Sequence, residues 1–151
     1  VYNLGDGLIV LAQGLVDYWR DQGVTVPIHV IPRAVAPHIF DVPAGADPLP
    51  AGTTPGERLL VVCRHSREKG VERLLRIFAR HVAPARPQAS LTLVGDGPDH
   101  DDFRALADRL GLAGRAHFVG EVPVTAVPQY YKHAAVFVYA SLSETYGQVV
   151  S

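Results

Sequence analysis

Apolar residues along this chain alternate between short unbroken runs and amphipathic stripes, which predicts strands that alternate with helices. The run Leu59–Cys63 is typical of a strand buried on both faces. It is followed at residues 71–82 by apolar side chains spaced as on one face of a helix. This is the pattern of a β-α unit.

The same alternation continues towards the end of the chain. Residues 91–94 predict a second strand, and residues 99–110 predict its helix, with acids in the first turn and Gly111 just beyond the end. Two more strands, 116–119 and 136–139, flank a short helix at 127–132. We therefore expect an α/β fold with a doubly wound parallel sheet, covered by helices on both faces. In the usual strand order, 3-2-1-4-5-6, the strand at 136–139 is the fourth.

The first third of the chain has a different character. Residues 8–11 predict a strand, Leu15, Tyr18 and Trp19 are spaced as on a helix, and residues 28–30 form a further extended stretch. Residues 44–56 are rich in Pro and Gly, as expected of a linker or surface loop. The predicted organisation is residues 1–43 as the tail end of a preceding domain or an interdomain segment, a loop at 44–56, and a partial Rossmann-like domain at 57–151.

Composition excludes several classes of function. A net charge of -1, with 19% charged residues, leaves no basic stripe for nucleic acid. The single cysteine, Cys63, rules out a disulfide framework and is expected to be a small core residue, which fits a reducing cytoplasm. The seven histidines show no metal-binding spacing, so we expect no metal. No apolar run reaches the length of about 18–20 residues that a membrane-spanning helix needs.

Ligands of open α/β sheets bind outside the carboxyl ends of the strands, so the loops after the strands are the candidate sites. The loop 64–70 places Arg64 and Lys69 before a helix, where free backbone N–H groups already favour an anion such as a diphosphate. The alternative is a solvated basic loop. In the next loop, Gly95 and Gly97 permit a tight turn or a close ligand, but His100 breaks a G-x-G-x-x-G motif, and a plain strand-to-helix turn is the alternative.

The loop at 140–148 leads from a predicted strand into another helix start. Glu144 offers a carboxylate to sugar hydroxyls or to developing positive charge, and a helix that begins near Tyr146 would direct its free amides at a phosphate. The alternative is an ordinary helix cap without a ligand.

Taken in order, these loops resemble the C-terminal domain of retaining GT-B glycosyltransferases, a large family that includes bacterial mannosyl- and glucosyltransferases and sucrose synthases. The family pattern G-R-x-x-x-E-K-G is matched at 63–70, except that Cys63 replaces the first glycine. L-x-x-V/I-G-D-G-P is matched at 91–98, F-x-G-x-V at 118–122, and S-x-x-E-x-F/Y-G at 141–147. The usual I-P-N-G-V-D appears as Ile-Pro-Arg-Ala-Val-Ala at 31–36, which is a departure from the family.

The resemblance implies a role for each matched residue. Arg64 and Lys69 would hold the diphosphate, the Gly95 and Gly97 loop would approach the donor, and backbone near Val122 would contact the base. Glu144 would contact the donor sugar, and the backbone of Tyr146, Gly147 and Gln148 would support the distal phosphate. A second glutamate of the family would fall at position 152, beyond the printed sequence.

The implied function is therefore binding of a nucleotide diphosphate sugar, UDP-glucose or GDP-mannose for example, for retaining transfer without a cofactor or metal. The acceptor would bind to an N-terminal domain that this sequence lacks, so this piece alone is expected to be inactive. It is also expected either to self-associate through the bare edge of its fourth strand or to need the missing part to stay soluble. We expect a cytoplasmic protein, with the full-length enzyme able to associate peripherally with a membrane. The alternatives are a non-catalytic nucleotide-binding or interaction module with the same half-fold, and a nucleotide-sugar epimerase.

Overall fold

The computed structural model describes residues 2–32, 43 and 45–141. Contacts divide this part of the chain into two compact units, residues 2–32 and residues 43 and 45–141. In the first unit, two parallel strands, β1 (Leu8–Val10) and β2 (Ile28–Val30), flank helix α1 (Gly14–Asp21). The predicted order of strand, helix and strand is therefore present.

The second unit is built on a parallel sheet of four described strands. They are β3 (Arg58–Val62), β4 (Ser90–Val94), β5 (Ala116–Gly120) and β6 (Val136–Phe137), in the spatial order β5-β4-β3-β6. This is the 3-2-1-4 order of a doubly wound sheet, which confirms the predicted fold class. The last strand is shorter than predicted, because regular pairing with β3 stops at Phe137.

Helices connect the strands as the sequence indicates. Helix α2 (Val71–Ile77) continues through a π-helical turn (Phe78–Val82) into α3 (Ala83–Ala85), and α4 (His100–Arg109) and α5 (Val127–His133) follow β4 and β5. The predicted helix at 71–82 is thus extended by three residues. The wide turn precedes Pro84, which lacks the N–H group that a regular α-helix would need at that position.

Two apolar cores cover the two faces of the sheet. Val61, Leu91 and Leu93 pack with Leu75 of α2 and Phe103 of α4 on one face, and Cys63 is buried in the same core, as predicted.

On the opposite face, Leu60 and Val94 pack with Tyr130 of α5 and with Leu49. The Pro- and Gly-rich stretch is therefore packed, not extended, around Leu49. It is fixed further by buried Arg58, which pairs with Asp47 at 2.5 Å and donates to the Thr53 hydroxyl oxygen at 2.8 Å.

Candidate functional site

The loops after β3, β4 and β5 meet at the carboxyl edge of the sheet. The backbone N–H of His65 donates to the Asp96 carbonyl at 2.8 Å, which joins the loop after β3 to the loop after β4. Gly95 N–H donates in turn to the Gly120 carbonyl at 2.8 Å. The start of the loop after β6 approaches as well, since the Arg73 guanidinium donates to the Ala140 carbonyl at 2.9 Å. The described parts of the predicted candidate loops therefore lie next to one another.

The loop after β3 turns sharply before α2. Its residues Arg67–Lys69 form a 3₁₀ turn, and Gly70 follows with a φ of 71°. A Cβ atom at Gly70 would overlap the carbonyl oxygen of Ala140. Position 70 thus requires glycine for two reasons, the left-handed backbone and the close approach of the start of the loop after β6.

Cations on this loop surround a carboxylate that is held in place. Arg64 is exposed and Lys69 is half-buried. The Ser66 hydroxyl donates to Glu68 Oε1 at 2.6 Å, and this bond, followed by a backbone N–H and by the charges of Lys69 and Arg64, lowers the pKa of Glu68. Glu68 therefore stays ionised, while the two cations predicted to hold a diphosphate remain at the edge of the sheet.

Asp99 clamps the first two loops together, a role that the sequence did not indicate. Its carboxylate accepts from the Arg67 backbone N–H at 2.9 Å and lies 3.4 Å from Arg67 Nε, while its own N–H donates to the His65 carbonyl at 3.1 Å. Asp99 precedes α4 but makes no side-chain cap to that helix. Sequence alone identifies it only as an acid near a helix start.

The glycines of the second loop have a packing reason of their own. Gly95 has a φ of 127°, and a Cβ atom there would overlap the Cys63 carbonyl oxygen. At Gly97 an added Cβ would lie 2.5 Å from the His65 carbonyl oxygen. Both positions therefore require glycine so that the loop after β4 can pack against the loop after β3, whether or not a ligand lies nearby.

Of the remaining predicted site residues, Val122 alone lies among the described residues. Val122 follows β5, and its side chain packs against the core around Leu60 and Tyr130. Four predicted residues, Glu144, Tyr146, Gly147 and Gln148, lie outside the described residues.

Two histidines to which the sequence analysis assigned no role form a pair beneath these loops. The His65 ring is fully buried and stacks on the His100 ring, with 4.9 Å between centroids. The two Nδ1 atoms are 2.8 Å apart. Because 35 residues separate the two histidines in sequence, no local spacing could have revealed the pair.

An open hollow of about 420 Å³ lies along the outer side of α2. Its lining includes Arg67, Arg73, Arg76 and Arg80 but neither Arg64 nor Lys69, so it is distinct from the predicted diphosphate site. Among the described residues, no group of three or more His, Cys, Asp or Glu side chains is placed to hold a metal ion. None of the described helices combines the length and apolar character needed to cross a membrane.

Comparisons with known proteins bear on the family and the fold. The family described as "Glycosyl transferases group 1" matches residues 53–151. The alpha-monoglucosyldiacylglycerol synthase of Streptococcus pneumoniae is 31% identical over an alignment of 149 residues, which covers 94% of this chain and 34% of that protein. A phosphatidylinositol N-acetylglucosaminyltransferase GPI3 subunit from Saccharomyces cerevisiae is 28% identical, over 82% of this chain and 27% of that protein.

Solved structures share the fold at low sequence identity. The pneumococcal O-GlcNAc transferase GtfA, in complex with UDP and GlcNAc, superposes with a TM-score of 0.74 at 17% identity, over 96% of this chain and 27% of that one. The chain spans 34% and 27% of the length of the two curated relatives named above.

Proposed function

The chain belongs to the glycosyl transferases group 1 family, and on that premise we propose that it forms the donor-binding part of an enzyme that transfers a sugar from a nucleotide diphosphate with retention of configuration. The observation that carries the proposal is the meeting of the loops after β3, β4 and β5 at the carboxyl edge of the sheet, with Arg64 and Lys69 on the first of them. Ligands of doubly wound sheets bind at this edge.

The chemistry of sugar transfer explains why positively charged side chains are needed at the diphosphate. When the bond between sugar and diphosphate breaks, negative charge develops on the leaving diphosphate, and fixed positive groups stabilise it. Arg64 offers a planar guanidinium suited to two phosphate oxygens, and Lys69 adds a point charge. These side chains would supply the stabilisation that a divalent metal supplies in other enzymes.

The relatives suggest the substrate class. Two of them are named for transfer of glucose or N-acetylglucosamine in the formation of glycolipids, and a structural neighbour was solved with UDP. We therefore propose a UDP-sugar as the donor and a lipid as the acceptor, with the acceptor bound by an N-terminal domain and the full-length enzyme working at the membrane surface from the cytoplasm.

Glu144 is the proposed group that acts on the donor sugar. In a full-length enzyme, Glu144→Gln should lower kcat by about 10²-fold or more, the loss expected when one preorganised electrostatic group is removed. The KM for the donor should change far less, because the nucleotide contacts are made elsewhere. Unchanged turnover would remove Glu144 from the proposed site.

Donor binding is tested by titration calorimetry of the 151-residue chain with uridine, UMP and UDP. We expect affinity to rise from uridine to UDP, and Arg64→Ala to weaken UDP binding by about 10-fold while leaving uridine binding unchanged. Arg104→Ala, an exposed arginine on α4, is the matched control. Equal affinity for uridine and UDP would contradict the diphosphate site, and no nucleotide binding by a full-length protein would contradict the proposed function.

Activity separates the enzyme from a binding module of the same fold. The chain alone is expected to transfer no sugar, because the acceptor must be bound by another domain. A full-length protein that binds UDP-sugars but transfers sugar to no lipid and hydrolyses no donor would favour the non-catalytic module.

A further inference from the structure

The contact between His65 and His100 joins the two loops that carry the proposed diphosphate site. His65 lies next to Arg64 in the loop after β3, and its ring is fully buried. His100 is the first residue of α4 and follows the loop that contains Gly95 and Gly97. The two rings stack, and their Nδ1 atoms are 2.8 Å apart.

Two nitrogen atoms at this distance can share only one proton. One Nδ1 must donate and the other must accept, because two protonated atoms would repel each other and two bare lone pairs would make no bond. The carboxylate oxygen Oδ1 of Asp96 lies 3.4 Å from His100 Nδ1, which favours the proton on His100. His100 is then the donor, and His65 accepts through Nδ1 and carries its own proton on Nε2.

The surroundings of His65 Nε2 support this assignment of a neutral ring. That atom is buried and has no hydrogen-bond partner among the described residues. The Phe103 and Phe118 rings lie edge-on to the imidazole, with centroids at 6.2 and 5.9 Å. A second proton would place an unpaired charge among aromatic rings, which is costly. Burial accordingly lowers the pKa of His65 to about 4, with the neighbouring His100 as a smaller cause.

The backbone of His65 is held by the same neighbours as its ring. Its N–H donates to the Asp96 carbonyl at 2.8 Å, and its carbonyl accepts from the Asp99 N–H at 3.1 Å. A single residue is therefore fixed at three points by residues 96–100. The chain direction at His65 determines where the Arg64 side chain leaves the loop.

We propose that His65 and His100 form a positioning pair, whose shared proton fixes the loop 64–70 against the loop 95–98 and so aims Arg64 at the donor diphosphate. The part of this inference that concerns the diphosphate rests on the proposed function. The charged groups that face the pair are Asp96 on the loop after β4 and Asp99 before α4, with Arg67 paired to Asp99. The pair acts through Arg64 and touches no substrate itself.

The variants for the test differ in the hydrogen bond alone. His100→Asn retains an N–H donor near the Nδ1 position, whereas His100→Leu retains only apolar volume. His81→Leu, at an exposed position after α2, is the matched control. In ¹⁵N NMR spectra of the 151-residue chain, we expect His65 to show a bare Nδ1 and a protonated Nε2 at pH 7, and a bonded proton on His100 Nδ1.

Binding of UDP and uridine provides the functional measurement. We expect His100→Leu to weaken UDP binding by about 10-fold with no change for uridine, and His100→Asn to stay within about 3-fold of the unsubstituted chain, since one hydrogen bond is lost in the first and replaced in the second. Unchanged UDP binding in His100→Leu would overturn the proposal. Equal weakening in both variants would also overturn it, because loss of packing would then explain the effect.

Amide hydrogen exchange keeps the two proposals separable. If neither the unsubstituted chain nor a full-length protein binds a nucleotide, the proposed function fails, but the pair is still tested by exchange at residues 65–70. Faster exchange there in His100→Leu, with protection restored in His100→Asn and retained in His81→Leu, would support the positioning pair. Equal exchange in all four proteins would overturn it.

Discussion

His65 Nδ1 lies 2.8 Å from His100 Nδ1 in a pair of stacked rings, and the buried member of this pair makes the stability of the second unit sensitive to acid. The pKa of His65 is lowered from 6.5 to about 4, chiefly by burial. Between these values the unfolded chain binds a proton that the folded chain does not. The free energy of unfolding therefore rises with pH across this window. The contribution of His65 to it is fully present above pH 6.5 and is lost as the pH falls towards 4.

The first prediction is a loss of about 2 kcal/mol of stability from His65 between pH 7 and pH 5. Urea unfolding at the two pH values measures it. His65→Leu should be less stable than the unsubstituted chain at pH 7, but its free energy of unfolding should fall less on acidification. In His81→Leu the free energy of unfolding should fall as much as in the unsubstituted chain. Burial also lowers the pKa of His117, so part of the pH dependence should remain in His65→Leu. An identical pH dependence in all three proteins would contradict the prediction.

Gly70 and Gly111 provide a matched pair for the second prediction, because both have a φ of 71°. An added Cβ would meet nothing within 4 Å at Gly111, but it would overlap the Ala140 carbonyl at Gly70. Gly111→Ala should cost about 1 kcal/mol from backbone strain alone, and Gly70→Ala about 1–3 kcal/mol more, from the clash with backbone. Equal losses in thermal or urea unfolding would show that the loop after β6 does not hold Gly70 closely.

The sequence predicted the architecture well because the strands and helices here are defined by local pattern. The run at residues 59–63 and the stripe from Val71 to Val82 are sufficient to identify a β-α unit, and the strand order follows from the rules of doubly wound sheets. The loops that bear Arg64, Lys69, Gly95 and Gly97 were identified by the same logic. Each of these predictions depended on neighbours in sequence.

What the sequence did not predict depends on contacts between distant residues. His65 meets His100 only after two β-α units have folded, and the Asp99 carboxylate turns to the Arg67 N–H instead of capping its own helix. Arg58, at the start of β3, is buried and bonded to Asp47 and Thr53, which no pattern of neighbours in sequence indicates. The wide turn before Pro84 likewise reflects a local conflict that apolar periodicity does not record.

The third prediction compares two arginines that form ion pairs in different surroundings. Arg58 is buried and donates to Asp47 and to two oxygens of Thr53, while Arg86 pairs with Glu57 at 3.0 Å with its side chain 68% exposed. Arg58→Leu should lower the free energy of unfolding by about 2–3 kcal/mol, because its loss leaves several polar groups without partners. Arg86→Leu should cost no more than about 0.5 kcal/mol.

Amide hydrogen exchange shows which part of the chain loses stability in Arg58→Leu. The stretch 45–53 is tied to the sheet through Asp47 and Thr53, so its backbone amides should exchange faster in Arg58→Leu than in Arg86→Leu. Equal exchange and equal stability in the two variants would mean that this stretch is held by Leu49 and its apolar contacts alone.

The last prediction concerns the edge of the sheet formed by β6. This strand pairs with β3 on one side, with Leu59 opposite Val136, and among the described residues no strand pairs with its other side. Val136 is 53% exposed, and neither a charge nor a proline interrupts residues 136–139. An apolar edge of this kind is a template for pairing with a second chain. We therefore expect the 151-residue chain, prepared alone, to self-associate.

Val136→Lys tests this edge directly, because an inserted charge opposes the pairing of two apolar edges while the exposed position leaves the fold intact. Light scattering at about 100 µM should show a larger mass for the unsubstituted chain and a shift towards the monomer for Val136→Lys. Val124→Lys, at a loop position 66% exposed, controls for the added charge and should associate like the unsubstituted chain. A clean monomer without any substitution would contradict the prediction, and equal dissociation by both lysines would assign the association to net charge and not to the β6 edge.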